Sequence, residues 1–547
     1  MNRRNALKLG ASALAGLYLS PLLGQSHILN AAAFKVTFEP TWQSLTKYQV
    51  PDWFRDAKFG MWAHWGPQCE PETGDWYARS MYQEGSKEYK FHCEKYGHPS
   101  KFGFKDVINV WKANKWNPQE LVNLYKDAGA KYFMAMANHH DNLDLYDSKH
   151  QPNWNSTKVG PKKDIIGGWE KAARKAGLPF AVSVHAAHAW SWYETAQRAD
   201  KNGVLAGVPY DGKLTKADGV GTWWEGLDPQ ELYAQNHPLS ENSSIDKTIH
   251  SQWQWGNGVA KPTEAYLEKF HDRTIDLIDK YNPDLLYFDD TVLPLWPISD
   301  AGLRIAAHLY NKSLEKNKTV QAVLTGKTLD EQQRKAMVWD IEKGQSNYIE
   351  PLPWQTDTCI GNWHYDREVY NNKGYKSAKT VVHTLIDIVS KNGNLMLNIP
   401  VRGDGSIDEL ERVIVKEIGV WMKANGESVY GTRPWKIFGE GPQQESAGEI
   451  IAEGYNEGIG KPYTSEDIRF VQKNKILYAT VMSWPENGTA IIKSLGKEST
   501  YHTNKIKQIK LVSTGEILNF KQKAQALEVY FPNQKPEASY ANALEII

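Results

Sequence analysis

From about residue 50 to residue 430 the chain alternates short apolar runs with longer stretches of helical pattern. The runs fall at 58–62, 131–136, 180–184, 285–288, 319–324, 337–341, a weak one near 358–360, and 394–399. Short apolar runs alternating with helical patterns are the signature of βα units. Eight of them predict a closed (β/α)8 barrel, TIM-like but irregular, with some helices missing. An open doubly wound sheet competes, but no Gly-x-Gly-x-x-Gly turn follows the first run. After Thr432-Arg433-Pro434-Trp435 the pattern changes. Runs at 468–471, 476–481, 489–492, 506–512 and 526–531, separated by Gly, Asn and Lys turns, predict a β-sandwich.

The expected division is therefore an α/β barrel over residues 34–435 and a C-terminal β-sandwich over 436–547. One stretch fits neither pattern. Residues 186–262 are rich in Trp, Gly and Pro without clear periodicity, and include Trp190, Trp192, Trp223, Trp224, Trp253 and Trp255. A βα loop of this size sits at the mouth of a barrel. Trp223 and Trp224 are expected to form subsites there for the part of the substrate that leaves.

Residues 1–33 read as an address. Arg3-Arg4, then Leu7-Lys8, precede a weakly apolar stretch ending before Ala31-Ala32-Ala33, a small-residue cleavage site. The arrangement resembles a twin-arginine export signal, with Ala6 where Phe is usual, and predicts a periplasmic or secreted protein. Ser20-Pro21 interrupts the apolar stretch, which is short for a membrane span, and no other segment is apolar enough to cross a bilayer.

Composition narrows the chemistry. Lys+Arg and Asp+Glu are both 64, so no basic surplus points to nucleic acid or an anionic membrane. The three cysteines, Cys69, Cys93 and Cys359, are far apart and lack zinc spacing, so neither a disulfide framework nor a structural zinc site is expected. The chain holds 22 Trp and 27 Tyr. Their flat apolar faces and polar edges suit the C–H faces and hydroxyls of sugars.

Polar residues collect where a barrel puts its chemistry, at the C-terminal ends of the strands. The first run ends at His64, the second at Asn138-His139-His140-Asp141, and the third runs into His185 and His188. The fourth ends at Asp289-Asp290, the sixth at Asp340, Glu342 and Lys343, and the seventh region carries Gln355, Asp357 and Trp363. A metal-dependent hydrolase is one reading, but the first strand lacks a His-x-His pair and the aromatic residues suit a sugar better. The other is glycoside hydrolysis by two carboxylates, with no metal or other cofactor.

Trp53-Phe54-Arg55-Asp56-Ala57-Lys58-Phe59-Gly60 with His64-Trp65-Gly66-Pro67 resembles the opening of the family 29 α-L-fucosidases. So do Gly129-Ala130-Lys131-Tyr132-Phe133, Tyr146-Asp147-Ser148, Pro283-Asp284-Leu285-Leu286-Tyr287-Phe288-Asp289, Asn392-Gly393-Asn394-Leu395-Met396-Leu397-Asn398 and Asn425-Gly426-Glu427-Ser428-Val429-Tyr430-Gly431-Thr432-Arg433, in the family's order. The resemblance implies an irregular barrel followed by a β-sandwich, and an exo-acting, retaining, metal-free hydrolase releasing terminal α-L-fucose from fucosylated oligosaccharides or polysaccharides. By position, Asp289 matches the nucleophile, and His64, His139 and His140 match fucose-binding histidines. Trp76 matches a sugar-contacting Trp, Tyr287 an aromatic near the fucose methyl, and Lys343 falls near a family Arg. His185 and Trp363 join them as substrate-binding candidates.

The chain departs from the family at the acid/base. Many relatives have Trp-Glu where this chain has Trp354-Gln355, and an amide cannot donate the proton. Asp357, two residues on and on the same face of an extended segment, is the first choice, with Glu350 second and Glu342 third. A same-fold glycosidase for a fucose-like sugar such as α-L-galactose, and a non-catalytic sugar-binding homologue, remain as alternatives.

Overall fold

The computed structural model describes residues 37–241, 243, 254–447, 454–502 and 504–547. The expected export signal and Trp253 lie outside the described residues. Eight strands close a parallel barrel in chain order: β1 (Phe59–Ala63), β2 (Tyr132–Asn138), β3 (Phe180–Val184), β4 (Leu285–Phe288), β5 (Val323–Gly326), β6 (Val338–Glu342), β7 (Trp354–Cys359) and β8 (Gly393–Asn398). The expected barrel is present, and every run meets a strand. The weak seventh run is a six-residue strand that starts at Trp354, because its inward positions Gln355 and Asp357 are polar and hide the apolar pattern.

Alternation along the strands divides the core. Trp62, Tyr132, Met134, Leu285, Tyr287, Val338 and Met396 cluster inside the barrel. Their neighbours Met61, Phe133, Ala135, Leu286 and Leu324 pack under the helices. The inner layer leaves no spare room at β1, where a Cβ on Gly60 would stand 2.5 Å from Tyr132 Cζ.

Helices connect most strands and carry local signals. The helix Pro118–Asp127 between β1 and β2 begins with Pro at its first position and with the Asn117 side chain accepting from the Glu120 N–H. The helix Ile165–Ala176 is capped by Asp164 and ends on Gly177 in the left-handed region. Glu264–Tyr281, Ala301–Asn317 and Ala378–Ser390 follow β3, β4 and β7. Between β5 and β6 there is one helical turn, Gln333–Ala336, and β6 runs to β7 without a helix, through a segment holding Pro351 and Pro353. The described residues of the insertion after β3 form short helical turns.

The tail forms two antiparallel sheets. Five strands run in the order β13 (Ile509–Leu511), β16 (Asn542–Ile546), β11 (Ile476–Val481), β10 (Ile468–Lys473) and β9 (Arg433–Glu440). The other three are β12 (Thr489–Ile492), β15 (Leu527–Tyr530) and β14 (Phe520–Gln522). Phe470, Leu477, Ile509 and Leu544 of the first share a core with Ile492, Leu527 and Val529 of the second, the expected sandwich. Three strands have no counterpart in the sequence pattern. β9 carries Pro434 and Gly439 and lies at a sheet edge, β14 is three residues long, and β16 is buried between two partners with Asn542 and Glu545 inside. The sheet's other face meets the barrel, where Val471 and Tyr478 join the barrel's apolar cluster. There Asp387, on the helix Ala378–Ser390, accepts from Arg469 Nε and Lys391 Nζ, both at 2.6 Å.

Candidate active site

A cavity of about 620 Å³ opens at the C-terminal ends of the barrel strands. His64, Trp76, His139, His185, Tyr287, Asp289, Lys343, Asp357 and Trp363, from seven separate segments, all line it. His140 stands behind them, 3.3 Å from Asp289. Glu350 does not line the cavity. It accepts from Ser346 Oγ at 2.8 Å and faces Arg334, on the loop before β7.

Asp289 follows β4 directly, and alternation turns it inward with Tyr287. Its Oδ2 accepts from His185 Nδ1 at 3.1 Å, and Lys327 Nζ donates to Oδ1 at 2.8 Å. Burial alone would raise this carboxyl, but Lys327, His140 and His185 hold it well below the usual carboxylate range. Asp289 is therefore ionised at neutral pH. Burial pushes His185 down to about 4, so its ring is neutral. Ser183 Oγ donates to Nε2 at 2.9 Å, which leaves the proton on Nδ1, facing Asp289. Both nitrogens of this residue serve the carboxylate and its support.

His64 and His139 have their pKa values pushed well below normal, first by burial. Gln68 Nε2 donates to His139 Nδ1 at 2.7 Å, leaving a donor at Nε2. His64 Nδ1 is buried and has no hydrogen-bond partner among the described residues. Neutral imidazoles with one free nitrogen each can donate to or accept from sugar hydroxyls. His64, His139 and His185 bring ring nitrogens within 4.8 Å of one another, and His140, His185 and Asp289 do the same. Either group could approach a cation, but the hydrogen bonds to His139 Nδ1 and to both nitrogens of His185 leave neither with three free lone pairs.

Lys327, not among the residues expected from the sequence, links the site. Its Nζ donates to Asp289 at 2.8 Å and to Glu342 Oε2 at 2.6 Å, and lies 5.4 Å from the centre of the Tyr287 ring. Burial works against its charge, yet Asp289 and Glu342 hold the ammonium pKa well above its ordinary value. A signal existed. The fifth apolar run ends at Leu324, whereas β5 continues to Gly326 and puts Lys327 at a strand end. Glu342 Oε1 accepts from Trp363 Nε1 at 3.1 Å and from Tyr455 Oη at 2.7 Å. No pattern in the sequence marked Tyr455, which lies beyond the barrel.

Asp357 and Glu342 are register partners on β7 and β6. The shorter Asp357 side chain turns to Tyr287, whose hydroxyl donates to Oδ2 at 2.7 Å, and burial pushes its carboxyl up to about 6. Lys343 Nζ lies 5.2 Å from the Trp363 ring centre, and Trp76 stands edge-on to Trp192. Trp223 and Trp224 do not line the cavity. Trp223 Nε1 donates to Asp106 at 2.6 Å and Trp224 packs over Lys105, so both are occupied in fastening the insertion.

A closed parallel barrel whose strand ends gather carboxyl groups, histidines and aromatic walls around a sugar-sized cavity is the framework of a glycoside hydrolase. The chain belongs to the α-L-fucosidase family: the α-L-fucosidase family model matches residues 26–427, and that of the α-L-fucosidase C-terminal domain matches residues 461–546. Tissue α-L-fucosidase of Rattus norvegicus is 25% identical over 84% of this chain and 81% of its own length. Plasma α-L-fucosidase of Homo sapiens is 25% identical over 82% and 80%. The crystal structure of Thermotoga maritima α-fucosidase shares the fold, with a TM-score of 0.67 and 24% identity, covering 93% of this chain and all of that one. An α-L-fucosidase from Bacteroides thetaiotaomicron, trapped as a covalent intermediate, has a TM-score of 0.58 at 17% identity, covering 91% and 97%. Among the described residues no helix is long and apolar enough to cross a membrane.

Proposed function

We propose that this α-L-fucosidase releases terminal α-L-fucose from fucosylated glycans by double displacement with retention, with Asp289 as nucleophile and Glu342 as acid/base. The observation that carries the reading is the shared ammonium. Contacts of 2.8 and 2.6 Å through one Lys327 Nζ keep the Asp289 and Glu342 oxygens within the roughly 5–5.5 Å at which retaining glycosidases hold their pair. An ionised Asp289 attacks the anomeric carbon while Glu342 protonates the departing oxygen. Glu342 then takes the proton of the water that releases the sugar. The covalent intermediate captured with the Bacteroides thetaiotaomicron relative supports the same route.

Glu342 is preferred to Asp357 on reach. A general acid must touch the glycosidic oxygen, on the solvent side of the sugar. The Glu342 side chain is 16% exposed, whereas Asp357 is fully buried. His64, His139 and Trp76 suit the hydroxyls and C–H face of the bound fucose. The export reading of residues 1–33 makes an extracytoplasmic glycan the substrate.

Azide capture tests the roles. Asp289→Ala should lose on the order of a thousandfold or more in turnover of an aryl α-L-fucoside, and azide should restore part of the rate with a β-fucosyl azide as product. Glu342→Ala should still form the intermediate from an activated substrate, and azide should collect it as the α-fucosyl azide. The α-azide from Asp357→Ala and not from Glu342→Ala would reverse the acid/base assignment. Full activity in Asp289→Ala would end the mechanism.

A further inference from the structure

We propose that Tyr455 is the platform for the leaving sugar: its ring forms the first subsite beyond the fucose and takes a pyranose of the glycan being released. The inference rests on Glu342 as the acid/base.

Tyr455 lines the catalytic cavity although it comes from the segment that follows the barrel. Its hydroxyl donates to Glu342 Oε1, the oxygen that Lys327 does not hold. A general acid stands within hydrogen-bond reach of the glycosidic oxygen, so the group bonded to that oxygen must leave past the phenol. The residue is anchored at its hydroxyl and 65% exposed, an open aromatic face beside the bond to be broken. Such a face suits the C–H side of a pyranose.

The segment is held as a platform requires. The Tyr455 N–H donates to the Glu342 carbonyl and the Glu457 N–H to the Lys343 carbonyl, both at 2.8 Å. The Glu457 carboxylate accepts from Lys376 Nζ and from Thr358 Oγ1 at 2.7 Å. Tyr455 has φ of +63°, a left-handed conformation that a bulky residue keeps only when its surroundings impose it. The ring is thus set before the substrate arrives, which lowers the ordering cost of binding.

A platform that holds a leaving sugar also holds an entering one, by microscopic reversibility. The test uses α-L-fucosyl fluoride, which has no aglycone, with lactose or a methyl glycoside as acceptor. Fluoride departs as Asp289 bonds to the anomeric carbon. Then either water or an acceptor hydroxyl attacks that carbon, the bond to Asp289 breaks and the hydroxyl proton passes to Glu342. The ratio of transfer to hydrolysis is read within one reaction, so the overall rate of a variant does not enter. Tyr455→Ala should lower the ratio roughly tenfold, whereas Tyr455→Phe, which keeps the ring, should hold it within about twofold of wild type. An unchanged ratio in Tyr455→Ala overturns the proposal, and so does an equal fall in Tyr455→Phe, which would assign the effect to the hydroxyl on Glu342. Wild type that releases fluoride yet transfers to no sugar overturns it as well. Wild type that releases no fluoride would instead bring down the hydrolytic mechanism beneath it.

Discussion

Asp357 holds its proton to higher pH in the folded chain than in the unfolded one. Burial pushes its carboxyl up to about 6 from an ordinary 3.8. Between those values the folded state binds the extra proton, so the contribution to stability is present below about pH 4 and lost as pH rises through 6. Asparagine does not titrate. The stability of Asp357→Asn relative to wild type should therefore improve between pH 4 and pH 7.5, by roughly 2 kcal/mol. Urea denaturation at the two pH values measures this, and a difference that does not move with pH would contradict it. The same residue scale explains the division of labour in the site. Asp289, ringed by Lys327, His140 and His185, is held charged, while Asp357 beside Tyr287 keeps a proton into mildly acidic conditions. Two carboxyl groups facing one cavity are thus driven apart by their surroundings alone.

At the scale of elements, β1 and β2 fit because Gly60 has no side chain. Tyr132 fills the space a Cβ would need, and its hydroxyl donates to Gln355 on β7, tying three strands inside the barrel. Gly60→Ala must push that ring or bend β1, and should cost about 1–3 kcal/mol. The same change at exposed Gly256, where a Cβ would meet nothing within 4 Å, is the control and should leave the melting temperature unchanged. Thermal unfolding of the two variants decides it, and equal melting temperatures would refute the packing account. The missing helix between β6 and β7 belongs to the same scale. Tyr455 and Glu457 bond to the backbone of Glu342 and Lys343, at the start of the helix-free connection.

Across the whole molecule, barrel and sandwich meet at a buried charge group. Arg469 from β10 and Lys391 share Asp387, and Arg469 also donates to Gln443 at 2.9 Å. Replacing Arg469 with Met keeps most of the volume but leaves Asp387 with Lys391 as its one cationic partner in a buried seam, which should cost about 3 kcal/mol. The expected result is a lower urea midpoint. An unchanged midpoint would show that the apolar contacts of Val471 and Tyr478 alone hold the two parts together.

The sequence by itself determined the barrel, the sandwich after it and most of the polar strand ends, because period and strand-end chemistry are local properties. Asp289 was legible as one of two carboxylates at the end of the fourth strand, singled out by the family resemblance, and Gln355 marked where the expected acid was missing. Tertiary structure decided what those residues do. Glu342 and Asp357 sit in register, and one added methylene takes Glu342 to Lys327 while Asp357 turns to Tyr287. Trp223 and Trp224 looked like sugar platforms by type and loop, yet packing on Asp106 and Lys105 engages them elsewhere. Tyr455 reaches the cavity from beyond the barrel, through backbone bonds between segments more than a hundred residues apart. Such pairings depend on where the folded chain returns to itself, which no local pattern of apolar and polar residues records.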